Sequence, residues 1–112
     1  MAGKFEIYED KSGEFRFRLK ASNGENLLAS EGYKAKKSAL NGVRSVQQNC
    51  NDDACFDRKT TSSGKYRFNL KAKNHQIIGT SQNYDSEGGR DNGIAAISRA
   101  ANDAQIVDLT KS

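Results

Sequence analysis

The feature that most limits what this chain can become is the run Phe15-Arg16-Phe17-Arg18-Leu19-Lys20, which alternates apolar and cationic residues without a slip. Side chains on a strand point alternately to its two faces, so this run specifies a strand with one face buried and one face wet. It returns 51 residues later as Tyr66-Arg67-Phe68-Asn69-Leu70-Lys71. The recurrence spans the chain: residues 5–54 align with 56–105 without a gap. Identities include Phe5/Phe56, Ser12/Ser63, Gly13/Gly64, Phe17/Phe68, Leu19/Leu70, Asn23/Asn74, Ser30/Ser81, Tyr33/Tyr84, Asn41/Asn92 and Gly42/Gly93. Two copies are too few for a solenoid, which needs about three or more repeats. The predicted solution is a pseudo-twofold pair sharing one core.

Each copy reads strand, strand, strand, helix. In the first, Phe5-Glu6-Ile7-Tyr8 alternates, Asp10-Lys11-Ser12-Gly13 is a turn cluster, and residues 14–22 form the long central strand. Asn23-Gly24 then signals a two-residue hairpin, because both residues tolerate positive φ. The third strand covers about Glu25 to Ser30. The second copy has Asn74-His75 at that turn, a poorer choice. Helices are predicted after Tyr33 and Tyr84. Ala39, Val43, Val46 and Cys50 lie on one helical face, as do Ile94, Ile97, Ala101 and Ala104. The Asn-Gly in each helix costs roughly 1 kcal/mol against alanine, so it marks either a close backbone approach or a break in the helix. Asp91 is the expected cap of the second helix. Val107-Asp108-Leu109 lies a further 51 residues beyond Phe56-Asp57-Arg58 and reads as the start of a third unit, an extended segment beside the sheet.

At 112 residues there is room for a single domain, 1–112, burying about two thirds of its unfolded surface. Nothing approaches the roughly 18 apolar residues of a membrane span, and Met1-Ala2-Gly3-Lys4 leads straight into a strand-like segment, so a soluble cytoplasmic protein is expected. The net charge of +4 does not compel a polyanionic partner. Cys50 and Cys55 read as reduced thiols: zinc needs four ligands, and the one histidine, His75, lies in a distant turn.

Several phrases together resemble the YegP-like family of small bacterial proteins. They are the Gly3-Lys4-Phe5 opening, Phe15 to Gly24, Ser30-Glu31-Gly32-Tyr33, and Asn41-Gly42-Val43-Arg44-Ser45-Val46. The resemblance covers nearly the whole chain, once per copy. It implies a unit of three strands and a helix, used in duplicate to form a single antiparallel sheet with helices packed on it. The family supplies no catalytic residues to carry over. The second copy departs from the first at Arg58, in place of Ile7, and at Gly88-Gly89.

If Phe15, Phe17 and Leu19 face the helices, then Arg16, Arg18, Lys20, Arg67 and Lys71 share the opposite, uncovered face and form a candidate binding surface. Nucleic acid would find phosphate neutralisation there, but few aromatics on which bases could stack: Tyr8, with Tyr33 and Tyr84 as further candidates. The structural alternative pairs Glu6 with Arg16 and Asp57 with Arg67 across the hairpins, and it is preferred because both partners recur. Tyr33 and Tyr84 are expected to pack under the helix starts with their hydroxyls bonded nearby. Catalysis lacks a base, since the acidic pairs Glu9-Asp10 and Asp52-Asp53 lie in turns.

The expectation is therefore an α+β fold: a tandem repeat of two βββα units (5–54 and 56–105) in one antiparallel sheet of about six strands, wholly antiparallel or with a mixed pairing, helices on one face. Because the second copy stands where a partner subunit would, a monomer follows. The function class is a non-enzymatic interaction or accessory module, with a protein or small anionic partner, no metal, no cofactor and no membrane. Weak, sequence-indifferent nucleic-acid binding through the basic face is the alternative.

Overall fold

A computed structural model describes residues 3–110; Met1 and Ala2, part of the opening phrase, lie outside the described residues. The elements run β1 (Lys4–Glu9), β2 (Phe15–Lys20), β3 (Asn26–Ser30), α1 (Lys36–Asn49), a 3-10 turn (Asp53–Cys55), β4 (Phe56–Thr60), β5 (Tyr66–Lys71), β6 (Ile77–Thr80), α2 (Glu87–Asn102) and β7 (Gln105–Asp108). They form an α+β fold with one seven-stranded sheet in the order β4-β5-β6-β3-β2-β1-β7.

The alternating strands do what their pattern requires. Phe5, Phe17, Leu19, Phe68 and Leu70 are buried completely, and Val43, Val46 and Ile97 from the helices close over them. Phe5 meets Phe17 edge-on with centroids 5.9 Å apart, and Phe56 meets Phe68 the same way at 5.6 Å. The apolar sides of the central strands and both helices thus share one core.

Five of the neighbouring pairs are antiparallel, but β7 pairs with β1 in parallel, Phe5 opposite Ile106 and Ile7 opposite Asp108. Of the two arrangements expected, the sheet is the mixed one, and the wholly antiparallel form is corrected. The reason lies in the chain path. β7 leaves α2 as β4 leaves α1, and so runs in the direction of β1; the place beside β2 is already held by β1, so β7 lies outside it. At the centre, β3 and β6 pair with Ala29 opposite Thr80, the residue 51 positions later. Gly79 is small because Leu28 needs its space: an added Cβ there would come within 2.8 Å of Leu28 Cγ.

The hairpin turns depart from the two-residue form. Ala21 N–H donates to Glu25 O, Gly24 N–H donates to Ala21 O, and of the turn residues only Gly24 has positive φ, at 87°. This is a three-residue loop in which one residue alone must be left-handed. It occurs four times, with Gly13, Gly24, Gly64 and His75 at the left-handed position. His75, at φ 71°, is the copy that lacks glycine.

Both helices run unbroken through their Asn-Gly. The close-approach reading holds: a Cβ on Gly42 would lie 2.7 Å from Phe17 Cε2, and one on Gly93 would lie 2.3 Å from Tyr84 Oη. The cap of α2 is Ser86, whose hydroxyl accepts from Gly89 N–H at 3.0 Å, and not Asp91. Asp91 sits one turn inside the helix and meets Arg58 at 3.3 Å. Gly88 and Gly89 fall in the first turn, where local composition alone reads as loop.

Candidate functional site

The helices cover one face of the sheet and leave the other uncovered. Register places Lys4, Glu6 and Tyr8 of β1 opposite Lys20, Arg18 and Arg16 of β2 on that open face. In the second half, Asp57 and Lys59 of β4 stand opposite Asn69 and Arg67 of β5. On these four strands the face carries seven cations (Lys4, Arg16, Arg18, Lys20, Lys59, Arg67 and Lys71) against two carboxylates, Glu6 and Asp57.

The carboxylates are gathered at the centre of each cluster. Glu6, only 7% exposed, accepts from Arg18 Nε at 2.6 Å and lies 3.4 Å from Lys20 Nζ and 3.5 Å from Lys4 Nζ. The Arg18 hydrogen bond, outweighing the cost of burial, holds its carboxyl below the usual range. Asp57 sits 3.1 Å from Lys71 and 3.2 Å from Lys59, and the Lys71 hydrogen bond lowers its pKa first. Arg16 instead reaches back to Asp10 in the turn at 2.7 Å. Asp10 also accepts from the N–H groups of Ser12 and Glu14, and Arg16 above all holds its carboxyl far below the ordinary value.

The five cations singled out from sequence are thus brought onto one face, but the acid–base pairing differs from expectation. Glu6 pairs with Arg18 and not Arg16, and Asp57 with Lys71 and not Arg67. The β1–β2 turn sets Glu9 opposite Phe15 and so Glu6 opposite Arg18, two positions beyond Arg16; in the second half Asp57 stands opposite Asn69, and Lys71 reaches it from the diagonal position. Arg67 has no ion-pair partner among the described residues and faces Lys59. Tyr8 is the aromatic on this face, with Arg18 Cζ 4.6 Å from its ring centroid.

The remaining candidates are structural. Tyr33 and Tyr84 exchange main-chain hydrogen bonds with Phe15 and Tyr66, and their rings lie under α1 and α2. Tyr84 stacks on Phe68, but its hydroxyl is buried with no hydrogen-bond partner among the described residues, contrary to expectation. Cys50 and Cys55 are buried and unbridged, and desolvation pushes both thiols up, away from reactivity at neutral pH. His75 closes a turn, and Asp52 caps the 3-10 turn by accepting from Ala54 N–H. Sequence reasoning missed the buried pair Ser30 and Ser81. Each hydroxyl accepts from a core-strand amide, Phe17 N–H at 2.9 Å and Phe68 N–H at 3.0 Å, and donates to the next carbonyl. Their recurrence at the same offset was the available signal.

A family model described as a domain of unknown function (DUF1508) matches residues 10–57 and again 62–108. The chain belongs to this family. Its relatives include the "UPF0339 protein in ptx operon 5'region" of Stutzerimonas stutzeri, 58% identical over 97% of this chain and 98% of that protein. Another is the UPF0339 protein YegP of Escherichia coli, 46% identical over 98% of this chain and 100% of its own. The solution structure of Escherichia coli yegP, described as of unknown function, superimposes with a TM-score of 0.94 at 46% identity, covering 100% of this chain and 97% of that one. A UPF0339 protein from Shewanella oneidensis gives 0.92 at 45% identity, covering 98% and 93%. The YegP-like resemblance drawn from the sequence is thus family membership.

Proposed function

We propose that this protein is a non-enzymatic interaction module: two fused βββα units whose uncovered sheet face meets an acidic segment of a protein partner. The observation that carries the reading is the charge imbalance of that face, seven cations around two carboxylates, with Arg67 left without a partner among the described residues. The duplicated-unit part rests on the central pairing of Ala29 with Thr80, which puts equivalent residues across a local twofold axis, and on the repeated three-residue turns. One chain then supplies both halves of the core, which favours a monomer. Two buried, unbridged thiols suit a reducing compartment such as the cytoplasm. No described helix is long and apolar enough to cross a membrane.

The face suits a mixed-charge protein surface better than a nucleic-acid strand. Glu6 and Asp57 stand in the middle of the cations, where they would oppose a continuous run of phosphates, and Tyr8 offers one ring where single-strand readers use several. Titration with an acidic peptide should shift amides of β1, β2, β4 and β5 and weaken as salt rises. Neutralising Arg16, Arg18, Arg67 and Lys71 to glutamine should abolish the effect. Peptide binding that ignores salt and this variant would overturn the reading, and tighter binding to a labelled single-stranded oligonucleotide would replace it with the nucleic-acid alternative.

A further inference from the structure

The two edges of the sheet are unlike, and the difference has a definite shape. On the β1 edge, β7 adds a parallel strand: Gln105 N–H donates to Gly3 O, and Leu109 N–H donates to Ile7 O at 2.8 Å. Its helix-side residues are Ile106, opposite Phe5, and Asp108, opposite Ile7. Asp108 is fastened to the start of α1 by Lys36 at 2.8 Å. On the other edge, β4 pairs only with β5 among the described residues, and no described strand lies along its outer side. There the position equivalent to Ile7 is Arg58, 35% exposed at its side chain and held by Asp53 at 2.9 Å and Asp91 at 3.3 Å. Beneath α2, a cleft of about 310 Å³ has Cys50, Phe56 and Ile94 for its floor and Asp53, Arg58 and Asp91 at its rim.

We propose that the outer edge of β4 is a strand-addition site for an extended basic peptide, which lies parallel to β4 as Gln105–Asp108 lies parallel to β1. The inference rests on the equivalence of the two halves proposed above. Main-chain hydrogen bonds supply affinity in such additions, and alternate side chains supply selectivity. The first helix-side residue of the peptide enters the cleft beside Phe56 and Ile94, and the next faces the start of α2. That helix start carries Glu87 where α1 has Lys36, and Asp91 where α1 has Leu40. The charge that fastens β7 is therefore reversed. The residue corresponding to Asp108 lies opposite Arg58, but that guanidinium is already held by Asp53 and Asp91. The exposed carboxylate in reach is Glu87, 3.8 Å from Arg90, so the residue must be lysine or arginine. A second copy of this chain fits less well. Antiparallel self-pairing centred on Arg58 sets the two Arg58 side chains directly against each other, and such cations are a usual guard against edge-to-edge association.

The test uses the intact, isotope-labelled protein and two synthetic peptides: Ala-Gln-Ile-Val-Lys-Leu-Thr, which is residues 104–110 with lysine in place of Asp108, and the unaltered sequence. The lysine peptide should shift the amides of residues 54–60 and slow hydrogen exchange at Phe56 and Arg58. Its affinity should exceed that of the aspartate peptide by about fivefold, the value of one exposed ion pair. Glu87→Lys, at an exposed position, should reverse the preference, and its unchanged core amide spectrum verifies the fold. Absent shifts, shifts confined to other elements, equal affinity for the two peptides, or dilution-dependent self-association at β4 without a peptide effect would each overturn the proposal. The equivalence of the halves is read separately, from core substitutions in each, so the two failures are distinguishable.

Discussion

Glycine at position 93 should be worth more than any helix-forming residue, and the reason can be worked from distances. A Cβ at this position would lie 2.3 Å from Tyr84 Oη, 2.7 Å from Cζ and 3.2 Å from Cε2. Tyr84 has little room to retreat: its ring stacks on buried Phe68 at 6.3 Å, and its main chain is tied to Tyr66 in both directions. Forcing a methyl into such a contact costs about 1–3 kcal/mol, against about 1 kcal/mol gained in helix propensity. Gly93→Ala should therefore destabilise by up to about 2 kcal/mol, or several degrees in Tm. In the same helix, Gly88 has no neighbour nearer than Ser86 Oγ at 4.0 Å, so Gly88→Ala should stabilise by up to about 0.5 kcal/mol, reduced from the interior value because it lies in the first turn. Adding Tyr84→Phe to Gly93→Ala removes the closest atom and also the unpartnered hydroxyl, and should restore about 1 kcal/mol. Urea unfolding followed by circular dichroism reads all four proteins. If Gly93→Ala stabilises as Gly88→Ala does, the close-approach argument is refuted.

Ser30→Ala and Ser81→Ala each leave a core-strand amide without its acceptor and should cost about 1–3 kcal/mol in denaturant unfolding, with similar values in the two halves. His75→Gly should stabilise by about 0.5 kcal/mol in the same assay, because it relieves the one left-handed turn position not filled by glycine. Acidification should destabilise the protein through Glu6 and Asp57. Both are depressed in the fold, so the unfolded chain takes up protons first; their stabilisation is complete above the ordinary carboxylate range, near pH 4, and is lost as pH falls through their folded values. Glu6→Gln combined with Asp57→Asn should flatten that loss in a Tm-versus-pH series, and an unchanged slope would show that other carboxylates carry it.

Much of the architecture is legible in the residues because burial reports itself as a period. Phe17, Leu19, Phe68 and Leu70 sit where alternation puts them, and Val43, Val46, Ile94 and Ile97 line the helix faces their spacing implies. Register was less legible. It depends on which turn residue takes positive φ, and Asn23-Gly24 can be read as a two-residue turn although only Gly24 is left-handed. The same kind of loop joins β1 to β2, with Gly13 left-handed, and there it sets Arg18 and not Arg16 beside Glu6. The parallel docking of β7 was hidden for a different reason: Gln105-Ile106-Val107-Asp108 marks an extended segment, but only the occupied place beside β2 decides which edge it joins. The cationic character of the open face is legible from Arg16, Arg18, Lys20, Arg67 and Lys71. The contributions of Lys4 and Lys59 needed the pairing to be seen.

The account stands on two equivalent halves sharing one interior. Its most direct test is the unfolding free energy of Phe17→Ala and Phe68→Ala, each ring buried completely at the same place in its half. Losses of about 3–5 kcal/mol at both positions, in a single transition seen alike by fluorescence and circular dichroism, are predicted. A loss under about 1 kcal/mol at either ring, or two separate transitions, would contradict it.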